Sequence, residues 1–171
     1  YEPGTRARLS FARAARRAER LGLDALEIHA AHGYLMHQFL SPIANKRDDE
    51  YGGSLENRMR FPLEIFDIVR AAFPARKPVW ARISATDWVP EGGFTGDDAV
   101  AVARGLKAAG ADLVDVSSGG NVPWGKPAYG RLYQVPFADR IRHEAEIPVM
   151  AVGAILGPDH ANTVLAAGRA L

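Results

Sequence analysis

Phe11, Ala14, Ala15, Ala18 and Leu21 recur at helical spacing with arginines between them, which predicts an amphipathic helix. Gly22 follows, where a left-handed residue closes a helix. Residues 25–30, Ala-Leu-Glu-Ile-His-Ala, predict a strand. Turn formers come next: Ser41-Pro42, Asn45, Asp48-Asp49 and Gly52-Gly53. Ser54 is a predicted cap for a helix with Met59, Leu63, Phe66, Val69 and Phe73 on one side. Residues 78–84 predict a second strand, and Gly92-Gly93 breaks the chain after it. Thr95 is a predicted cap for a helix carrying Ala99, Val102, Ala103, Leu106 and Ala109. Gly110 ends that helix, and residues 111–117 predict a third strand. The Gly- and Pro-rich stretch 118–135 predicts a loop. A short helix after Pro136, a fourth strand at 148–153 and a helix at 158–167 complete the pattern.

Residues 21–28 (LGLDALEI) resemble residues 109–116 (AGADLVDV), so a helix–Gly–x–Asp–strand unit is written twice. Repeated βα units imply a parallel sheet with crossover helices. A doubly wound sheet and a (β/α)8 barrel both satisfy this. Strand polarity separates them, because strands buried on both faces are apolar throughout. Here Leu26, Ile28, Val79, Ala81, Ile83, Val114 and Val116 make one apolar face. The opposite face carries Glu27, His29, Trp80, Arg82, Ser84, Asp115 and Ser117, crowded toward the strand ends. A barrel keeps its active site at the C-terminal strand ends and takes roughly 250 residues. The expected fold class is therefore α/β, a (β/α)8 TIM barrel of which residues 1–171 form about half. The chain opens at Tyr1 without Met, and an apolar segment begins at Ala170-Leu171, which also suggests a fragment.

Composition changes this picture little. The 21 Lys+Arg nearly balance 20 Asp+Glu, for a net charge of +1. That gives no electrostatic reason to expect nucleic acid or a membrane surface as a partner. Arg13, Arg16, Arg17 and Arg20 are read as a solvated helix face. No apolar run is long enough to span a bilayer. There is no cysteine, which rules out disulfides and thiolate ligands in this stretch. The expectation is a cytoplasmic protein with a small-molecule substrate; a homo-oligomer is left open.

The candidate chemistry begins at His29-Ala-Ala-His32-Gly-Tyr34, at the end of the first predicted strand. Imidazole N–H groups can bind a carbonyl or a developing oxyanion, and a phenol can deliver a proton. The competing readings are two turn histidines, or a metal pair at i, i+3 spacing with no carboxylate or cysteine beside it. Arg82 lies mid-strand on the polar face. Such a cation needs an anionic or electron-rich partner. Asp115 or Glu27 could supply a structural ion pair; a bound anionic group is the functional alternative. His37 and Gln38 are read as structural, and His143 and His160 as exposed. Gly119-Gly120 and Gly153 follow strands, where glycine lets a ligand approach the backbone. No Gly-x-Gly-x-x-Gly follows a strand, so a Rossmann dinucleotide site is not supported.

The run from His29 to Tyr34, with Ser41-Pro42, Asn45, Arg47, Asp49 to Ser54 and Glu56-Asn57-Arg58, closely resembles the NADH:flavin oxidoreductase/Old Yellow Enzyme family. The resemblance continues through Ala81 to Ser84, Asp87-Trp88, Asp115 to Gly119, Tyr133 to Phe137 and Ala151 to Gly153. The His-x-x-His-Gly-Tyr form looks like the YqjM-like (thermophilic-like) ene-reductase subgroup. The resemblance implies FMN at the C-terminal face of the barrel and NAD(P)H as reductant. It implies that His29 and His32 bind the substrate carbonyl or the nicotinamide amide. It makes Tyr34 the proton donor, Arg82 the cation facing the flavin N1/O2 edge, and Gly153 part of the loop near the flavin phosphate. It implies a structural role for the Tyr51–Asn57 loop. Gly168-Arg169 resembles a phosphate clamp but precedes a strand, so it is left unassigned. Trp88, Tyr129 to Arg131, Pro136 to Arg140 and Val152 to Ile155 also resemble the reductase part of bifunctional aryl-CoA monooxygenase/reductases. A non-catalytic half-barrel is the reading from another class.

Overall fold

The structure, a computed structural model, describes residues 4–171. Helix α1 (Thr5–Arg20) leads to strand β1 (Leu26–Ala30), then α2 (Leu35–Leu40) and α3 (Leu55–Ala72). Strand β2 (Val79–Ser84), α4 (Gly96–Ala108), β3 (Val114–Ser117), α5 (Val135–Glu144), β4 (Val149–Ala151) and α6 (Pro158–Ala166) follow. The four strands pair in chain order, β1-β2-β3-β4, and every pairing is parallel. The order never reverses, as a barrel wall requires and a doubly wound sheet does not.

The helix ends explain the sequence repeat. After α1, Leu23 N–H bonds Ala18 O (3.1 Å) and Gly22 N–H bonds Glu19 O (2.9 Å), with Gly22 at φ 80°. After α4, Ala111 bonds Leu106 O and Gly110 bonds Lys107 O, at 2.9 and 3.0 Å. After α6, Arg169 bonds Val164 O and Gly168 bonds Leu165 O, each at 3.0 Å. These are three Schellman closures, each on a glycine with positive φ. The third places Gly168-Arg169 in a helix-closing turn. At the helix starts, Ser54 accepts from Asn57 N–H, and Thr95 forms a capping box with Asp98.

Two predicted strands are shorter than the pattern suggested. β3 begins at Val114 and β4 spans only Val149–Ala151. Ahead of β3, Asp112 joins the ladder from a turn. Its N–H donates to Val79 O (3.1 Å), and its carboxylate accepts from Val79 N–H (2.8 Å).

The two sheet faces differ as the polarity predicts. Ile28, Val79, Ala81, Ile83, Val114 and Val116 are buried under the helices, with Ile65, Phe66, Val102 and Ile141. The other face is built in rows. His29, Arg82, Asp115 and Met150 lie in one register row, and Ser84 pairs with Ser117 in another. No described helix is long and apolar enough to cross a membrane.

Candidate active site

The loop after β1 gathers the aromatic and imidazole groups. The His29 ring centroid lies 5.2 Å from that of His32 and 5.2 Å from that of Tyr34. His32 has φ 57°, a strained value for a residue with a side chain, so its surroundings must hold it there. Its N–H donates to Ser84 Oγ (3.0 Å), and Ser84 in turn donates to Gly119 O (2.8 Å). His32 Nε2 lies 2.7 Å from Ser117 Oγ. Burial first, and then the neighbouring His29, Arg82 and His37, push His32 below the usual histidine range. A neutral imidazole keeps one N–H donor and one acceptor. Tyr34 stands at the head of α2 with its side chain exposed.

Gly33 is needed for packing as well as for its φ of 75°. A Cβ there would stand 2.7 Å from Gly120 O. A Cβ on Gly120 would meet His32 Cα at 2.7 Å. The loops after β1 and β3 thus touch backbone to backbone, which fixes His32 over the end of β3.

Arg82 meets both carboxylates that the sequence offered. Its Nε and Nη2 donate to Asp115 Oδ2 at 2.9 and 2.6 Å, and Nε lies 3.3 Å from Glu27 Oε1. Trp80 Nε1 holds the other Glu27 oxygen at 2.7 Å. Nη1 of Arg82 has no partner among the described residues, and about a third of the side chain is exposed. Asp115 is buried, and its Oδ1 has no hydrogen-bond partner. Burial pushes Asp115 up to about 6; Arg82 opposes the shift and Glu27 adds to it.

Gly153, φ 105°, lies just after β4, where a Cβ would overlap Gln134 Nε2. Gln134 is buried; it donates to Val152 O (3.1 Å) and accepts from Ser118 Oγ (2.5 Å). Trp88 Nε1 reaches Ser118 Oγ at 2.8 Å. Thr86, Trp88, Val89, Pro90, Trp124 and Lys126 line an open cleft of about 580 Å³ beside these loops. The open guanidinium nitrogen of Arg82, with about a third of its side chain exposed, fits the electron-rich, partly anionic edge of a cofactor such as FMN. Arg82 is the residue here that would hold it; at Gly153 the room left by the missing side chain is taken by Gln134.

The residues that hold the site in place were not singled out from the sequence. Ser84 and Ser117 read only as polar positions, and Gln134 and Asp87 only as parts of motifs. His37, as expected, is buried and bonded within the scaffold. The Tyr51–Asn57 stretch is tied down by Asn45 Nδ2 to Tyr51 O (2.7 Å) and Asn57 Nδ2 to Gly52 O (3.1 Å). Buried Arg58 holds Leu40 O and Gly53 O. His143 is mostly exposed, and His160 is half-buried. Among the described residues no group of three or more His, Cys, Asp or Glu is placed to hold a metal.

Fold and site together describe part of a parallel βα barrel whose polar groups converge on the C-terminal strand ends. The chain belongs to the NADH:flavin oxidoreductase / NADH oxidase family, whose profile matches residues 7–171. It is 51% identical over 161 residues to an NADPH dehydrogenase of Geobacillus sp. (strain WCH70), covering 94% of this chain and 46% of that protein. Among solved structures, 2-naphthoyl-CoA reductase superposes with a TM-score of 0.87 at 31% identity, over 96% of this chain and 26% of that one. Morphinone reductase superposes with a TM-score of 0.76 at 28% identity, over 96% and 42%. The chain spans about half the length of the curated relatives it matches.

Proposed function

We propose that this chain carries the substrate-binding and proton-donating side of an FMN-dependent ene-reductase. The whole protein would use NAD(P)H to reduce an activated alkene such as an α,β-unsaturated carbonyl. The observation that carries this reading is the convergence of His29, His32 and Tyr34 beside Arg82 at the strand ends. The His-x-x-His-Gly-Tyr form and the identity to NADPH dehydrogenases support the thermophilic-like subgroup.

Bound FMN would supply the hydride chemistry. The chain's own residues do the rest. His29 and His32 hold the substrate carbonyl oxygen, where charge builds as hydride reaches the β carbon. Ser84 and Ser117 keep His32 in place, so this stabilisation is preorganised; losing one such donor costs about 10²–10³ in rate. Tyr34 gives its phenol proton to the α carbon, which completes a two-electron, two-proton-equivalent reduction of the C=C bond. Arg82 would hold the bound FMN through its open Nη1 and would favour negative charge on it when reduced.

A second reading has its own support, the superposition on 2-naphthoyl-CoA reductase. It keeps the same residues and replaces the enone with an aryl-CoA thioester. The full-length, flavin-loaded protein is reduced anaerobically with NADPH and mixed with a cyclic enone or an aryl-CoA thioester. Rapid flavin reoxidation by the enone with formation of the saturated ketone is expected. Reoxidation by the thioester alone establishes the second reading, and no reaction with either contradicts both.

A further inference from the structure

Behind the His29–Tyr34 loop runs a buried polar chain that the proposed chemistry does not use. His37 and Ser41 are fully buried, and Asp87 is 1% exposed. Gly33 N–H donates to His37 Nδ1 at 2.9 Å. A ring nitrogen that accepts carries no proton, so the single proton of this imidazole sits on Nε2. Nε2 lies 3.2 Å from Asp87 Oδ1, close enough for charge attraction but not aligned as a hydrogen bond, and neither atom has another hydrogen-bond partner among the described residues. Asp87 Oδ2 accepts from Ser41 O–H (2.6 Å) and from Phe94 N–H (2.8 Å). Ser41 Oγ also accepts from Asn121 Nδ2 at 2.9 Å. The chain therefore ties the loop after β1 to the loops after β2 and β3.

We infer that His37 and Asp87 are positioning residues. The negative Asp87 carboxylate beside Nε2 favours the Nε2–H tautomer of His37, which leaves Nδ1 free to hold the Gly33 N–H and so sets the backbone between His32 and Tyr34. The part of this inference that concerns catalysis rests on the proposed roles of His32 and Tyr34. One observation calls for such a device. His32 has φ 57°, and a strained residue with a side chain persists only where its surroundings over-determine it. His32 is one of the two residues whose placement matters, and Gly33, the residue His37 holds, adjoins it. A core histidine serving only to fill space has no need of a fixed tautomer. Here the wrong tautomer would set Nδ1–H against Gly33 N–H, donor against donor.

Asp87→Asn tests the link. Phe94 N–H is a fixed donor, so an asparagine puts its carbonyl there and turns its NH₂ toward His37 Nε2. The imidazole must then carry its proton on Nδ1, and the Gly33 bond is lost. His37→Leu removes the acceptor outright, whereas His37→Asn restores one, since its Oδ1 occupies the place of Nδ1.

The experiment uses the full-length, flavin-loaded protein with ¹⁵N-labelled histidine. Imidazole ¹H–¹⁵N correlation spectra should show His37 as the Nε2–H tautomer, and Asp87→Asn should convert it to Nδ1–H. The alkene half-reaction should fall about 10²-fold in Asp87→Asn and His37→Leu, the loss that misplacement by about 1 Å produces. His37→Asn should recover most of it. A wild-type spectrum showing Nδ1–H or the doubly protonated ring overturns the inference even if every variant misfolds. Equal losses in folded His37→Leu and His37→Asn overturn it as well. If the tautomer is as stated but no enone is reduced, the proposed function fails and the loop anchoring stands.

Discussion

Asp115 sits where burial and Glu27 push its carboxyl up and Arg82 pulls it down, with a net position of about 6. In the unfolded chain an aspartate titrates near 3.9. The folded state therefore binds this proton more tightly. The stability it contributes is complete below about pH 4 and is lost as pH rises through about 6. In the full-length protein the urea midpoint should carry a falling component between pH 4 and 6, and Asp115→Asn should remove it. The same slope in both proteins would contradict the assignment. His29, His32, Tyr34 and Arg82 were legible as candidates because their residue types are chemically distinctive and their place at a strand end follows from the pattern. Ser84 and Ser117 were legible only as polar positions. Their service to His32 depends on contacts across 52 and 85 residues of chain, which no local spacing encodes. The link from Ser41 to Asp87, 46 residues apart, was hidden for the same reason.

Elements were easier to read than their ends. Gly22 and Gly110 marked helix closures in the sequence, and both closures are Schellman motifs. The start of β3 was misplaced because Asp112 continues the hydrogen bonding from a turn, so its residues look like strand to a pattern of polarity. The contact of the β1 and β3 loops was invisible, since glycine leaves no hydrophobic trace. It has a measurable consequence. Gly33→Ala forces a left-handed residue with a side chain and brings a Cβ to 2.7 Å from Gly120 O. The backbone alone costs about 1–2 kcal/mol, so chemical denaturation of the full-length variant should show at least that loss, with weakened substrate binding. An unchanged midpoint would mean that the loops part freely and do not position His32.

At the scale of the whole molecule, strand order and one-sided helix cover are what make this a barrel wall. The alternation of apolar and polar strand positions encoded both, because one face had to meet helices and the other a polar interior. The chain spans about half the length of its curated relatives, in which the remaining chain is available to complete such an interior. Met150, Leu156 and Leu171 are exposed here. The 171-residue chain expressed alone should therefore self-associate in a concentration-dependent way by sedimentation velocity, as exposed apolar surface and open strand edges dictate. A stable monomer at all concentrations would argue against a missing half. The central claim, that this half of the site supplies the proton to an alkene, is tested most directly by stopped-flow on full-length Tyr34→Phe, with each half-reaction followed separately. The account predicts unchanged flavin reduction by NAD(P)H and an alkene half-reaction slowed by about 10²–10⁴, the usual contribution of a general acid. Equal slowing of both half-reactions, or of neither, would contradict it.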